Sequence, residues 1–278
     1  MADTSQTIGT TVPDGQVANV QLRKFQLYLA CAAAWYVLYL AAPESLRGAL
    51  YVLGGIASLT IVGRRSRQVS NPVRRIIKLL FLSGMLAIAG GVFRGAQSAV
   101  TGILYPFPSF ADVLVIASYG LLISAMWVTV SRRLPPNILD PALDAAVGGI
   151  AIAVLQWVIV IVPYVQDASP TNSALALNLT YATGCLALVV MAVFALVAGG
   201  HRSASNRILA GALFATVLID SLTTLVLAGV VPAMVQTVIA PMGLMLGTAG
   251  ILHPSVVLLA SRPSDPGHLR VLTRKRIS

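Results

Sequence analysis

The sequence predicts an all-α integral membrane protein, a polytopic bundle of eight transmembrane helices with both termini in the cytoplasm. Three observations carry this. Hydrophobic residues make up 57% of the chain and charged residues only 10%, whereas a soluble domain is about a quarter charged. Eight apolar runs approach the length of about 20 residues that crosses the hydrocarbon. Lys and Arg fall almost entirely in alternate gaps between those runs, the asymmetry that orients helices in a bilayer.

Residues 1–22 are polar and lack a charged segment followed by an apolar one, so they read as a mobile tail and not as a signal peptide. The membrane domain is expected over 23–260 and a basic cytoplasmic tail over 261–278. The first run, 25–42, is entered from Arg23-Lys24 and ends at Pro43-Glu44. The second, 48–62, is short and Gly-rich and stops at Arg64-Arg65. The third covers 76–93 and ends at Arg94; the fourth covers 113–130 and is closed by Arg132-Arg133. After a Pro-broken loop, the fifth spans 143–162 and ends at Pro163. The sixth, 175–197, stops at Gly199-Gly200; the seventh is 208–228, and the eighth, 238–260, runs into Arg262-Pro263.

With the N-terminus inside, the outer loops hold only Arg47 and Arg94, and the remaining basic clusters lie inside. Lys and Arg number 19 against 9 Asp and Glu. In a soluble chain that excess would point to nucleic acid. Here no basic face survives once the gaps become loops, so nucleic acid is not an expected partner. Helices three and four, five and six, and seven and eight form hairpins of similar length. Duplication and ordinary equal-length hairpins both give that spacing.

The best-formed helix start lies in the stretch 106–120. Pro106 and Pro108 suit a loop or first turn, and Ser109 or Asp112 can accept from the free N–H groups. Asp112 also meets the positive end of the helix dipole. Asp220 sits mid-run in the seventh helix, where an acid costs about 2.5–3.5 kcal/mol and should face the bundle interior. Tyr119, Gln156, Trp157, Asn178 and Tyr181 fall at similar depth, with Asp112 at the rim. Together these seven are the expected ligand-binding residues of an outward-facing cavity. The alternative is structural: Asp220 locks packing, Trp157 joins the interfacial aromatic belt, and Gln156 and Asn178 bind helices together. His253 and Pro254, at the inner end of the eighth helix, are expected to couple a signal through a Pro kink.

Cys31 and Cys185 fall inside apolar runs with no His or Cys at metal spacing, and read as small core residues. No phosphate loop, metal-ligand cluster or nucleophile elbow is present, so no cofactor, no metal and no enzymatic activity are expected.

Read in order, Pro108-Ser109-Phe110-Ala111-Asp112, Tyr119-Gly120, Leu143-Asp144-Ala145, Trp157, Pro163-Tyr164, Asp220 and Leu252-His253-Pro254-Ser255 form a recurring pattern. It resembles the N-terminal multi-pass membrane region of actinobacterial-type GGDEF/EAL cyclic di-GMP signalling proteins, over about residues 93–273. Val115-Ile116 stands where family members often carry a Tyr. No catalytic domain follows in this sequence, so the chain reads either as a fragment or as a stand-alone module, and the cyclase and phosphodiesterase activities are not assigned to it. The resemblance implies a sensor or input module in the bacterial inner (plasma) membrane, with cytoplasmic GGDEF/EAL-type domains as partners if the chain is a fragment. The lipid bilayer is the expected surrounding, and a homodimer stays open. A small-solute transporter and a structural membrane scaffold are the alternatives.

Overall fold

The computed structural model describes residues 14–103, 106–132, 139–167, 171–197 and 203–260, and these form helices joined by short turns. In chain order they are α1 Asp14–Ala41, α2 Glu44–Ser66, α3 Asn71–Thr101, α4 Phe110–Ser131 and α5 Leu139–Gln156. A π turn, Trp157–Ile161, leads into α6 Val162–Asp167, followed by α7 Asn172–Val197, α8 Ala204–Leu227, α9 Ala233–Ile239 and α10 Met242–Leu252. A 3₁₀ segment, Pro254–Ala260, closes the described chain. The basic stretch 261–278, the first residues of the expected N-terminal tail and most of the 134–141 loop lie outside the described residues.

Among the described residues, seven segments are long and apolar enough to span a membrane. The multi-pass helical bundle is therefore as expected, with one difference in count. The second run, the marginal one in sequence, qualifies as Glu44–Ser66, whereas α1 does not belong to the set. The uncharged apolar stretch inside α1 covers only 25–41, between Lys24 and the end of the helix at Ala41. The helix also starts at Asp14, well inside the expected polar tail.

The sequence order becomes a chain of neighbours. α3 packs on α4, α4 and α5 on α7, α7 on α8, α8 on α10, and α2 between α3 and α10. Two apolar clusters hold this together. One gathers Met126, Leu188, Val189 and Leu213 from α4, α7 and α8. The other gathers Ile76, Ile77, Leu209, Ile251, Val256 and Leu259 from α3, α8, α10 and the 3₁₀ segment. In lipid such contacts come from close packing, because surrounding acyl chains are as apolar as the side chains.

Three element boundaries differ from the sequence reading, each for a backbone reason. α3 does not end at Arg94 but continues to Thr101, where Gly102 supplies the left-handed C-terminal conformation (φ 71°). The fifth run does not stop at Pro163. The Val162 N–H reaches five residues back to the Trp157 carbonyl, and this widened turn lets the helix run on across a residue with no N–H. The eighth run is not one helix kinked at Pro254. It breaks first at Ala240–Pro241, and at Pro254 the α-helix ends. His253 adopts φ −58°, ψ 137°, the extended backbone that a following Pro imposes.

The Ala240–Pro241 break explains how α1 is held. Pro241 has no N–H, so the Thr237 carbonyl one turn earlier loses its helical donor. Tyr39 Oη donates to that carbonyl at 2.8 Å. Tyr36 Oη donates to Val238 O at 2.9 Å and Tyr28 Oη to Met245 O at 3.1 Å. A buried carbonyl without a partner costs about 1–3 kcal/mol. Tyr39→Phe is therefore expected to lower stability by about 1–2 kcal/mol in the native background. It should cost measurably less in a Pro241→Ala background, where a backbone N–H can return to Thr237 O. Thermal unfolding of the two single variants and the double variant in detergent gives the coupling, and strictly additive effects would refute this account.

Candidate functional site

The site is built where the C-terminal part of α3 and the start of α4 meet α7 and α8. Pro106 to Ser109 lead into α4, and the Asp112 carboxylate turns back over the helix start. The Ser109 N–H donates to Asp112 Oδ2 at 2.6 Å, and Ser109 Oγ lies 3.1 Å from the same oxygen. This is the expected helix cap. The other oxygen is also occupied: Arg94 Nη2 donates to Oδ1 at 2.5 Å and Tyr181 Oη at 2.9 Å. An ionised carboxylate offers about four lone-pair sites, and here four donors fill them. Asp112 is fully buried, while the Arg94 side chain keeps 23% of its surface. The acid at the rim is thus a latch joining α3, α4 and α7.

Two turns further into α4 the pattern repeats with different partners. Tyr119 lies against Gly184 of α7, where a Cβ atom would come within 2.5 Å of its ring. That missing side chain lets the phenol reach α8 and donate to Asp220 Oδ2. The Cys185 thiol approaches the same oxygen at 3.8 Å, and Gln156 reaches that thiol from α5. Tyr119 and Tyr181 meet edge to face, with ring centroids 5.9 Å apart, an arrangement aromatic quadrupoles favour. The two carboxylates are therefore linked through a pair of tyrosines. Asn178 is buried, with its Nδ2 3.5 Å from Thr224 Oγ1 of α8.

Two cavities flank this network. A small one, about 40 Å³, is lined by Pro106, Phe107, Asp112, Asn178 and Tyr181. A large one, about 650 Å³, lies between α2, α3, α4, α8 and α10, with walls from Tyr51, Ser83, Leu122, Leu209 and Gly247. Arg94 and Asp220 line both. The ion pair in the neighbourhood is Arg94 with Asp112; among the described residues Asp220 has no cation within pairing distance.

Of the seven expected ligand-binding residues, the structure brings together Asp112, Tyr119, Gln156, Asn178, Tyr181 and Asp220. Trp157 does not join them. It starts the π turn, near the middle of the Ala145–Gln166 span, and is 56% exposed on the outside of the bundle. His253 and Pro254 stand at the opposite end. Ser255 N–H donates to His253 Nδ1 at 3.1 Å, so that nitrogen is an acceptor and the ring is neutral with its proton on Nε2. Ser255 Oγ lies 2.8 Å from the same Nδ1 and accepts from Ser205 N at 3.0 Å. Burial, with the edge of the Phe25 ring 4.9 Å between centroids, holds the imidazole below its ordinary pKa. His253 and Ser255 thus cap the 3₁₀ segment and tie it to the start of α8.

No family model, curated protein or solved structure matches the chain.

The sequence reading missed Arg94, Tyr51 and the role of Cys185. Arg94 looked like the end of a spanning run. The signal against that was present: Gly95 to Val100 holds no charge, so a helix could continue and bury Arg94, and a buried charge calls for a named partner.

Proposed function

We propose that the chain is a non-catalytic membrane sensor, the input module of a bacterial signalling protein, with both termini in the cytoplasm. The observation that supports it best is the large cavity whose wall carries Arg94 and Asp220. Those two residues belong to a hydrogen-bonded network joining α3, α4, α7 and α8. α8 is in turn fastened to α10 and the 3₁₀ segment through Ser205 Oγ to Gly250 O at 2.6 Å and Ser205 N to Ser255 Oγ. A ligand that binds two helix packings unequally shifts the balance between them, and this path runs from the cavity to the segment preceding the basic tail. The distribution of Lys and Arg supports the orientation, and the ordered resemblance to GGDEF/EAL proteins supports cytoplasmic signalling domains as partners.

A chimera of residues 1–278 with a cytoplasmic reporter domain after Ser278 tests this. Asp220→Asn and Tyr119→Phe each weaken the same hydrogen bond, so both are expected to move reporter output in the same direction by at least about twofold. Unchanged output in both, at equal membrane abundance, removes the sensor reading.

A second reading, a small-solute transporter, is favoured by one observation. The α9–α10 break at Ala240–Pro241 lies on the wall of the large cavity, and discontinuous helices at a cavity are a transporter feature. Counterflow uptake into proteoliposomes distinguishes the two, since the sensor moves no solute.

A further inference from the structure

The large cavity changes character along its length, and all its walls agree on the direction. At one end stand Glu44 and Arg47 of α2, Arg94 of α3 and Asp220 of α8, with the Tyr51 phenol within electrostatic reach of both Arg94 and Asp220. At the other end stand Val62 of α2, Leu80 of α3, Met126 of α4 and Ile251 of α10. Arg94 and Leu80 are separated by about 21 Å along α3 at 1.5 Å per residue. The space is therefore elongated, with a charged head and a mainly apolar shaft that also carries the hydroxyls of Ser83, Thr216 and Thr248. Its volume of about 650 Å³ falls within the small-ligand range of about 300–1,000 Å³.

The head end contains charges of both signs that do not meet. Arg94 gives one N–H to Asp112 and interacts with Tyr181, yet a guanidinium carries five donors. Asp220 receives Tyr119 and Cys185 on Oδ2, and its Oδ1 has no partner among the described residues. No ion pair joins Arg94 to Asp220. Charges inside a membrane protein pair with one another, with backbone groups or with what occupies the cavity. A wholly anionic head would leave Asp220 facing like charge, and a wholly cationic one would meet Arg94.

We infer that the cavity binds a single-chain amphiphile with a zwitterionic head, of the lysophosphatidylethanolamine class. Its ammonium lies toward Asp220, its phosphate toward Arg94 and its acyl chain along the shaft to Met126 and Ile251. The inference rests on the reading of this cavity as a ligand chamber and names the ligand class.

The test is a titration of the whole 278-residue chain in dodecyl maltoside, followed by native mass spectrometry. Three probes share an oleoyl chain: lysophosphatidylethanolamine, lysophosphatidylglycerol (no ammonium) and monoolein (no charge). The zwitterionic probe is expected to saturate at one per chain and to bind about tenfold tighter than the other two. Asp220→Asn should abolish the preference over lysophosphatidylglycerol. Gly247→Leu should weaken all three probes, because a side chain there enters the shaft with its nearest neighbour, Ala212 Cβ, at 4.0 Å. Gly48→Trp does the same at the head end, where a Cβ meets nothing within 4 Å, and serves if Asp220→Asn fails to fold. Equal binding of the three probes to the native chain, or a preference that survives Asp220→Asn, overturns the head assignment. Binding untouched by both Gly variants places the lipid elsewhere and overturns the site. Because binding is read without signalling, a bound lipid with an unresponsive chimera defeats only the sensor reading. An unbound lipid with a responsive chimera defeats only this ligand class.

Discussion

Asp112→Asn is expected to destabilise the bundle by about 3–4 kcal/mol. Removing one member of a buried pair leaves the other charge unpaired, which costs about 3–5 kcal/mol where both are fully buried. Arg94 retains 23% of its side-chain surface, so the lower end applies to the pair. Loss of the carboxylate over the α4 N-terminus adds about 1 kcal/mol. Unfolding in detergent, read by thermal or SDS titration, measures it. The double variant Arg94→Gln with Asp112→Asn should recover part of the loss, because it removes the stranded cation. If the double variant costs the full sum of the singles, the latch account fails.

Gly184→Leu is the second large effect. The added Cβ would stand 2.5 Å from Tyr119 Cδ2 and 3.2 Å from Cε2. These atoms belong to a ring wedged against α7, so the ring or the helix has to move. Overpacking of this kind costs about 1–3 kcal/mol. Displacing Tyr119 also breaks its bond to Asp220, which adds the loss of a hydrogen bond to a buried acid. The expected result is a fall in Tm comparable to that of Asp112→Asn, with the Tyr119→Phe substitution nearly silent in the Gly184→Leu background. A full additional loss from Tyr119→Phe there would show that the ring had kept its partner.

Both variants mark where sequence reasoning stopped. The apolar runs located the helices because burial in lipid demands about 20 consecutive apolar residues whatever their neighbours. Asp112 was legible as a cap because capping is local, reaching three residues along the chain. Its second oxygen was not, since Arg94 and Tyr181 come from other helices. Treating Arg94 as a run end is the natural reading when each charge is scored alone, and only a partner contributed by another helix makes it an interior residue. Asp220 was placed in the interior for the correct physical reason, but nothing in the sequence names Tyr119 as its donor. Trp157 shows the converse. Hydropathy gave its depth and could not give its azimuth: one residue past Gln156, the side chain stands about 100° further round the helix.

The three phenol-to-carbonyl bonds that hold α1 carry a consequence for biogenesis. They join residues 198 to 217 positions apart in the chain. At about 5–20 residues per second of synthesis, the carbonyls that receive Tyr28, Tyr36 and Tyr39 emerge roughly 10–40 s after the phenols do. α1 is therefore made long before its seat, and its tyrosines wait unsatisfied until the acceptors at 237, 238 and 245 have emerged. A nascent chain paused before residue 237 should expose α1 to cross-linking by translocon or chaperone, and release past residue 245 should protect it.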